Sequence, residues 1–278
     1  MRLVCIRAEG RARHAVERAD GLHEIAADPG DPQAVAALLQ DPAAALPTGR
    51  VFDPARVDFL PPVLSPGKIF CVATNFREPT LPDRPAPEYP LLFTRFADTL
   101  VGHGQPLRKP DESDRHDFEG ELAVVIGKPG FRIARESALA HVAGYSCFND
   151  GSIRDWQKHS TQFTPGKNFF ASGSFGPALV TADGIDPAAL RLTTRVNGVV
   201  MQQIGMDRMI FGIDWLIAYV SAFAPLAPGD VIVTGTPTGF GSSRTPPRFL
   251  TPGDVVEVEI TGIGTLRNAV AAANVFVM

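Results

Sequence analysis

With 278 residues, 45% of them hydrophobic and 20% charged, the chain falls in the range of ordinary globular proteins and can bury a sizeable core. A formal charge of −4 and a pI near 5.9, with no long basic run, argue against nucleic acid or an anionic membrane as partner and leave small molecules. Met1 to Ile6 is too short and too closely followed by arginine to be a secretory signal, and no segment reaches the roughly 20 apolar residues of a membrane span, so a cytoplasmic location is expected.

The chain opens with MRLVCIRAEG and the segment His14 to Ala26, whose Ala19-Asp20-Gly21 turn signal predicts a hairpin. DPQAVAALLQ (31–40) predicts a short helix, with an aspartate cap and proline in the first turn. The proline-rich stretch from Pro47 to Pro66 reads as a linker. Residues 1–66 are thus expected as a small hairpin and helix domain with its linker, and residues 67–278 as a second domain starting near Lys68. In that second part short β-type runs dominate: KIFCVATNF (68–76), LLFTRF (91–96), ELAVVIG (121–127), HVAGYSCF (141–148), LRLTTRVNG (190–198), DVIVTG (230–235) and DVVEVEITGIGTL (254–266). PTLPDRPAPEYP (79–90) holds five prolines in twelve residues and excludes a regular helix. MIFGIDWLIAYVSAF (209–223) predicts one helix, apolar on nearly every side and so packed against sheet. The fold class expected is α+β, mostly β. Cys5, Cys71 and Cys147, odd in number and widely spaced, read as reduced thiols and not as a disulfide framework or zinc site.

Within DFEGELAVVIG (117–127) two acids interrupt an otherwise buried strand. Strand alternation sends Glu119, Glu121, Ala123 and Val125 to one face, and Phe118, Leu122, Val124 and Ile126 to the other. Two carboxylates on one face repel unless compensated, which suggests a hard cation held by oxygen ligands; a solvated strand face is the plainer reading. FNDGSIRDWQ (148–157) offers a third carboxylate, Asp150, which by itself also fits an Asn-Asp-Gly turn. Lys167 follows in TPGKNFFASGSFGP (164–177) and alone could be a surface residue, as Arg154 with Asp155 could be a local ion pair. His103 and His116 are not assigned a role. GTPTGFGSS lacks the lysine and following helix of a phosphate loop, which excludes nucleotide binding on that motif.

Over roughly residues 68–278 the chain resembles the fumarylacetoacetate hydrolase family. The resemblance rests on DFEGELAVVIGK, NDGSIRDWQ, the lysine of PGKNFF before FGP, VNGVVMQ, LAPGDVIVTGTPTGFG and PPRFLTPGDVVEVEITGIGTLRN, in family order. It implies a rolled mixed β-sheet domain with a small N-terminal domain, homodimeric assembly, and a bound Mg²⁺ or Mn²⁺. It further implies a small 2-oxo acid or 1,3-dicarbonyl substrate, cleaved, decarboxylated or isomerised through a metal-stabilised enolate. Carried over by position, Glu119, Glu121 and Asp150 correspond to the metal ligands and Lys167 to a lysine beside the enolate oxygen. Arg154 and Gln157 fall beside the site, and Gly235 and Thr236 would line its floor with backbone and hydroxyl donors. Arg77, Arg95 and Met206 are expected at the substrate, with Phe76, Phe163 and Phe240 setting pocket size; the two arginines hint at an anionic substrate and equally fit ion pairs with nearby Asp or Glu.

The sequence departs from the family where a histidine and a glutamate on a lid helix activate water. Here CVATNFREPTLP places Pro79 and Pro82 at those positions, and Met206 stands where a threonine is common. Loss of that base costs hydrolysis roughly 10²- to 10⁴-fold, while decarboxylation or tautomerisation needs mainly an electron sink and a proton donor. The non-hydrolytic reactions are therefore favoured. C–C hydrolysis with a relocated base (Glu78, His103 or His116) and a catalytically silent, metal- or ligand-binding homodimer are the alternatives.

Overall fold

The computed structural model of the protein describes residues 1–77 and 85–273, and the segment carrying Glu78, Pro79 and Pro82 lies outside them. Its main sheet runs in the order Pro47–Phe52, Gly21–Ile25, Arg11–Arg18, Arg2–Ala8, Gly173–Thr181, Val142–Asn149, Gly120–Ile126, Val231–Val233, Ile69–Ala73 and Leu91–Thr94. Asp58–Leu60 and Leu100–Val101 pair onto it from the side. A five-stranded sheet, Val199–Gly205, Arg191–Val196, Val255–Ile260, Gly264–Ala272 and Leu107–Lys109, packs against one face. The architecture is mostly β with mixed sheets, as the sequence predicts.

At the N-terminus two tight turns replace the single hairpin expected. Glu9 and Gly10 take φ of 51° and 74°, the left-handed pair that matches a two-residue hairpin to strand twist, and Ala19-Asp20 closes the second. Arg2 and Leu3 pair with Val180 and Leu179, so this meander continues the main sheet. The Pro47–Pro66 stretch is more than a linker. Pro47–Phe52 forms an edge strand against Gly21–Ile25, and Asp58–Leu60 pairs with Arg2–Ala8. Pro47 opens its edge strand opposite Ile25, and Pro54 opens a 3₁₀ turn. The helix Pro32–Gln40 begins where its cap predicts, Asp31 accepting a hydrogen bond from the Gln33 N–H, and buries Leu38 and Leu39.

The strand Gly120–Ile126 is buried on both faces. Leu122, Val124 and Ile126 join the core shared with the second sheet, while Ala123 and Val125 join the core beneath Leu38 and Leu39. The helix expected over 209–223 is Ile213–Phe223, because Ile210 N–H bonds to the Asn75 carbonyl and Met209 bridges to Phe76, holding the chain extended before Gly212. Only one side of it is buried, through Ile213, Leu216, Ile217 and Val220; on the other, Trp215 stacks on Tyr219 and Phe223 is exposed. Cys5, Cys71 and Cys147 are all buried and unpaired.

Candidate metal site

Sheet register builds the site. Gly120 pairs with Asn149 and Glu121 with Phe148, so Asp150, one residue past its strand, falls opposite Glu119 and donates its N–H to the Glu119 carbonyl at 2.8 Å. One oxygen from each of Glu119, Glu121 and Asp150 lies within 4.8 Å of the others, and all three residues are buried. Gly120 between the two glutamates must be glycine, since a Cβ there would stand 2.0 Å from Thr194 Oγ1. Two short helices, Arg154–Gln157 and Thr164–Lys167, deliver the cations. They touch at Gly166, where a Cβ would meet the Gln157 nitrogen at 2.4 Å. Lys167 Nζ lies 2.6 Å from Glu119 Oε2 and 2.5 Å from Asp150 Oδ2, with the Phe93 ring 4.9 Å away. Arg154 reaches Glu119 Oε1 at 2.6 Å and Asp117 Oδ2 at 2.7 Å, donates to Gln157 Oε1 at 3.0 Å, and stacks over Phe240 at 4.6 Å.

The charges do not balance. Four buried carboxylates (Asp117, Glu119, Glu121 and Asp150) face three buried cations, Arg95, Arg154 and Lys167. The excess falls on Glu121, which burial and then the charges of Asp150 and Glu119 push well above the usual carboxylate range. Burial would also raise Asp150, but Lys167 and Arg95 outweigh it and hold that carboxyl below its ordinary value. Burial opposes the Lys167 charge, yet Asp150 and Glu119 raise its pKa, so it remains an ammonium. An all-oxygen donor set with one uncompensated buried carboxylate fits a hard metal ion, which Glu119, Glu121 and Asp150 could hold.

These groups open onto a cavity of about 340 Å³ lined by Glu119, Glu121, Arg154, Gln157, Lys167 and Thr236, with Phe76, Phe93, Phe163 and Phe240 as its apolar wall. Three of the expected substrate contacts lie elsewhere. Arg95 is wholly buried behind Asp150, its Nη1 2.6 Å from Asp150 Oδ1. Met206 is 2% exposed inside the core between the sheets, because the 3₁₀ turn 206–208 points it inward. Arg77 is exposed and outside the described wall, its backbone N–H bonded to the Arg208 carbonyl. The Gly235 N–H and Thr236 hydroxyl serve the scaffold: the first donates to Glu121 Oε2 at 2.5 Å, the second to the Gly120 carbonyl at 2.9 Å. Gly235 has φ of 98°, and a Cβ there would strike Asn75 Cβ at 2.8 Å.

Three further residues organise the site. Asn75 donates to the Phe211 and Thr234 carbonyls and accepts from the Phe211 N–H, tying the strand after Ile69–Ala73 to the Gly235 loop. Asp117 accepts from Gly241 and Ser242 N–H as well as from Arg154, fixing the turn that carries Phe240. Gln202 accepts from Gly120 N–H and donates to Thr236 Oγ1 and the Pro237 carbonyl. The only local signals are an asparagine and a glutamine inside apolar runs and a third acid beside the glutamate pair.

This fold, with an acidic triad and a buried lysine at the end of a mixed sheet, agrees with sequence comparison. The fumarylacetoacetate (FAA) hydrolase C-terminal family model matches residues 68–271, and the chain belongs to that family. It is 43% identical over 237 residues to the mitochondrial oxaloacetate tautomerase of Xenopus laevis, covering 84% of this chain and 74% of that protein. It is 42% identical over 215 residues to an oxaloacetate tautomerase of Bacillus subtilis, covering 75% and 71%. The solved structure of 5-carboxymethyl-2-hydroxymuconate delta-isomerase from Mycobacterium smegmatis superposes with a TM-score of 0.83 at 33% identity, covering 98% of this chain and 100% of that one. Such relatives support an enzyme. No helix among the described residues is long and apolar enough to cross a membrane.

Proposed function

We propose that the protein is a Mg²⁺- or Mn²⁺-dependent tautomerase of a small 2-oxo acid, with oxaloacetate as the first candidate. The observation that carries this reading is the Lys167 ammonium, 1% exposed and 2.6 Å and 2.5 Å from two of the three clustered carboxylates, on the wall of a cavity where no histidine appears among the described lining residues. Keto–enol exchange moves one proton between a carbon and the neighbouring carbonyl oxygen; it adds no water and breaks no bond between heavy atoms. It asks for positive charge at that oxygen, which the Lys167 ammonium supplies, and for a proton relay in which Nζ gives one proton to the oxygen, takes one from the carbon and ends as an ammonium again. Bound at Glu119, Glu121 and Asp150, a divalent ion would polarise the carbonyl and stabilise the enolate. Arg154, oriented by Asp117, and Gln157 offer donors to a substrate carboxylate. Phe76, Phe93, Phe163 and Phe240 exclude water from the reacting carbons. The activity of the two tautomerase relatives points the same way.

The test uses ion-stripped protein with Mg²⁺ or Mn²⁺ added back, following the ultraviolet absorbance of enol-oxaloacetate, with Glu119→Ala as control. Ion-dependent exchange that the variant lacks is the expected result. Carbon dioxide release without faster exchange would replace the reading with a decarboxylase. Cleavage of an acylpyruvate would reinstate the hydrolase with a relocated base, and binding without turnover of any of these would favour a silent binding protein.

A further inference from the structure

Arg95 is not among the residues lining the cavity, yet its guanidinium is held by four hydrogen bonds. Its Nη1 donates to Asp150 Oδ1 at 2.6 Å and to the Gly151 carbonyl at 2.8 Å, its Nε to Thr99 Oγ1 at 3.2 Å, and its Nη2 to Ser172 Oγ at 3.1 Å. All three clustered carboxylates share a pattern. Each has one oxygen engaged by a fixed group of the scaffold: Asp150 Oδ1 by Arg95, Glu119 Oε1 by its ion pair with Arg154 at 2.6 Å, and Glu121 Oε2 by the Gly235 N–H at 2.5 Å. The partner oxygens Glu119 Oε2 and Asp150 Oδ2 face each other across Lys167 Nζ.

We infer that Arg95 is a positioning residue that keeps Asp150 a one-oxygen ligand, so that with Arg154 and Gly235 acting likewise the site offers three protein oxygens and discriminates against Ca²⁺. The inference rests on the divalent-ion reading above. A rigid set of three single oxygens leaves about three positions for water or substrate around a six-coordinate ion, which suits Mg²⁺ or Mn²⁺. Ca²⁺ draws much of its affinity from two-oxygen carboxylate ligands and coordination numbers of roughly six to eight, and this arrangement withholds both. Lysine cannot replace Arg95, since a single ammonium cannot span Asp150, Gly151, Thr99 and Ser172 in the way a planar fork does.

The experiment measures Mn²⁺ and Ca²⁺ binding by calorimetry for wild type and Arg95→Lys, and counts ion-bound waters from the broadening of the Mn²⁺ electron paramagnetic resonance signal in ¹⁷O-enriched water. Wild type is expected to bind Mn²⁺ far more tightly than Ca²⁺ and to keep about three waters on Mn²⁺. Arg95→Lys is expected to narrow the Mn²⁺/Ca²⁺ affinity ratio by about tenfold and to lose a water as Asp150 turns to offer both oxygens. An unchanged ratio and water count in a folded variant would overturn the assignment. If the variant does not fold, the wild-type measurement still decides, because Ca²⁺ binding as tight as Mn²⁺, or two or fewer waters, contradicts three single-oxygen ligands. Absence of any divalent-ion binding by wild type would remove the metal reading itself, whereas binding with unaltered selectivity removes only the role of Arg95.

Discussion

Replacing Lys167 with methionine separates the scaffold role of this residue from its chemical role. The ammonium is 1% exposed and ion-paired at 2.6 Å and 2.5 Å, so its removal leaves Glu119 Oε2 and Asp150 Oδ2 buried with less compensation. Breaking a buried pair in this way costs about 3–5 kcal/mol. In a chain of this size each kcal/mol moves the melting temperature by roughly 2 °C, so the ion-free variant is expected to melt about 6–10 °C below wild type. The same two oxygens are the ones a divalent ion would take from Lys167, so Mn²⁺ should bind the variant about tenfold more tightly, electrostatic competition having gone. At an ion concentration about 100 times its dissociation constant, binding returns roughly 2.7 kcal/mol, most of the loss. Tautomerase turnover should nonetheless fall about 10²- to 10³-fold, because the charge at the enolate oxygen is missing. Differential scanning calorimetry with and without Mn²⁺, paired with the enol absorbance assay, reads all three. An ion-free variant as stable as wild type, or one that loses Mn²⁺ affinity along with activity, would refute the reasoning, since Lys167 would then be neither a compensating charge nor a competitor.

Asp117→Asn leaves one acceptor oxygen for the Gly241 and Ser242 N–H groups and removes the charge that Arg154 Nε meets; kcat/KM should drop about tenfold, mainly through KM, and double-mutant analysis with Arg154→Met should show strong non-additivity. Gly120→Ala forces a Cβ to within 2.0 Å of Thr194 Oγ1 and should destabilise the protein by about 1–3 kcal/mol in urea unfolding, with metal affinity lost alongside because both glutamates shift. His116, fully buried with its Nε2 3.0 Å from the Ser172 carbonyl, has its pKa lowered by burial to about 4. Between that value and about 6.5 the unfolded chain binds the extra proton, so stability is fully present above pH 6.5 and falls by about 3 kcal/mol as the pH drops toward 4. Urea titrations at pH 7 and 4.5 should show that loss in wild type and not in His116→Gln, if the glutamine variant folds; an equal loss in both would move the acid sensitivity to other groups.

The parts of this site that could be read along the chain are those whose meaning is local. Alternation put Glu119 and Glu121 on one face and Leu122, Val124 and Ile126 on the other, and the two separate cores on either side of the strand follow that division. The aspartate cap and proline placed the helix Pro32–Gln40 without reference to anything distant. What was not legible depends on partners far away in sequence. Arg95, a lone cation in LLFTRF, fits an anionic substrate and a neighbouring acid equally well; only its contacts with Asp150 and Ser172, 55 and 77 residues on, decide for support of a carboxylate. Thr236 reads as a free hydroxyl until the carbonyl of Gly120, 116 residues earlier, accepts its hydrogen bond. The helix start moved for the same reason, since an apolar run cannot reveal that Asn75 holds Ile210 and Phe211 extended from 135 and 136 residues away. A buried ionic site has to satisfy nearly every donor and acceptor it encloses, so most of its polar residues face each other and few remain for substrate. Assigning every nearby arginine or threonine to the substrate therefore overestimates the contacts available. On the reading proposed above, the charged and amide groups lining the cavity among the described residues that remain for chemistry are Lys167, Arg154 and Gln157, beside the carboxylates of Glu119 and Glu121.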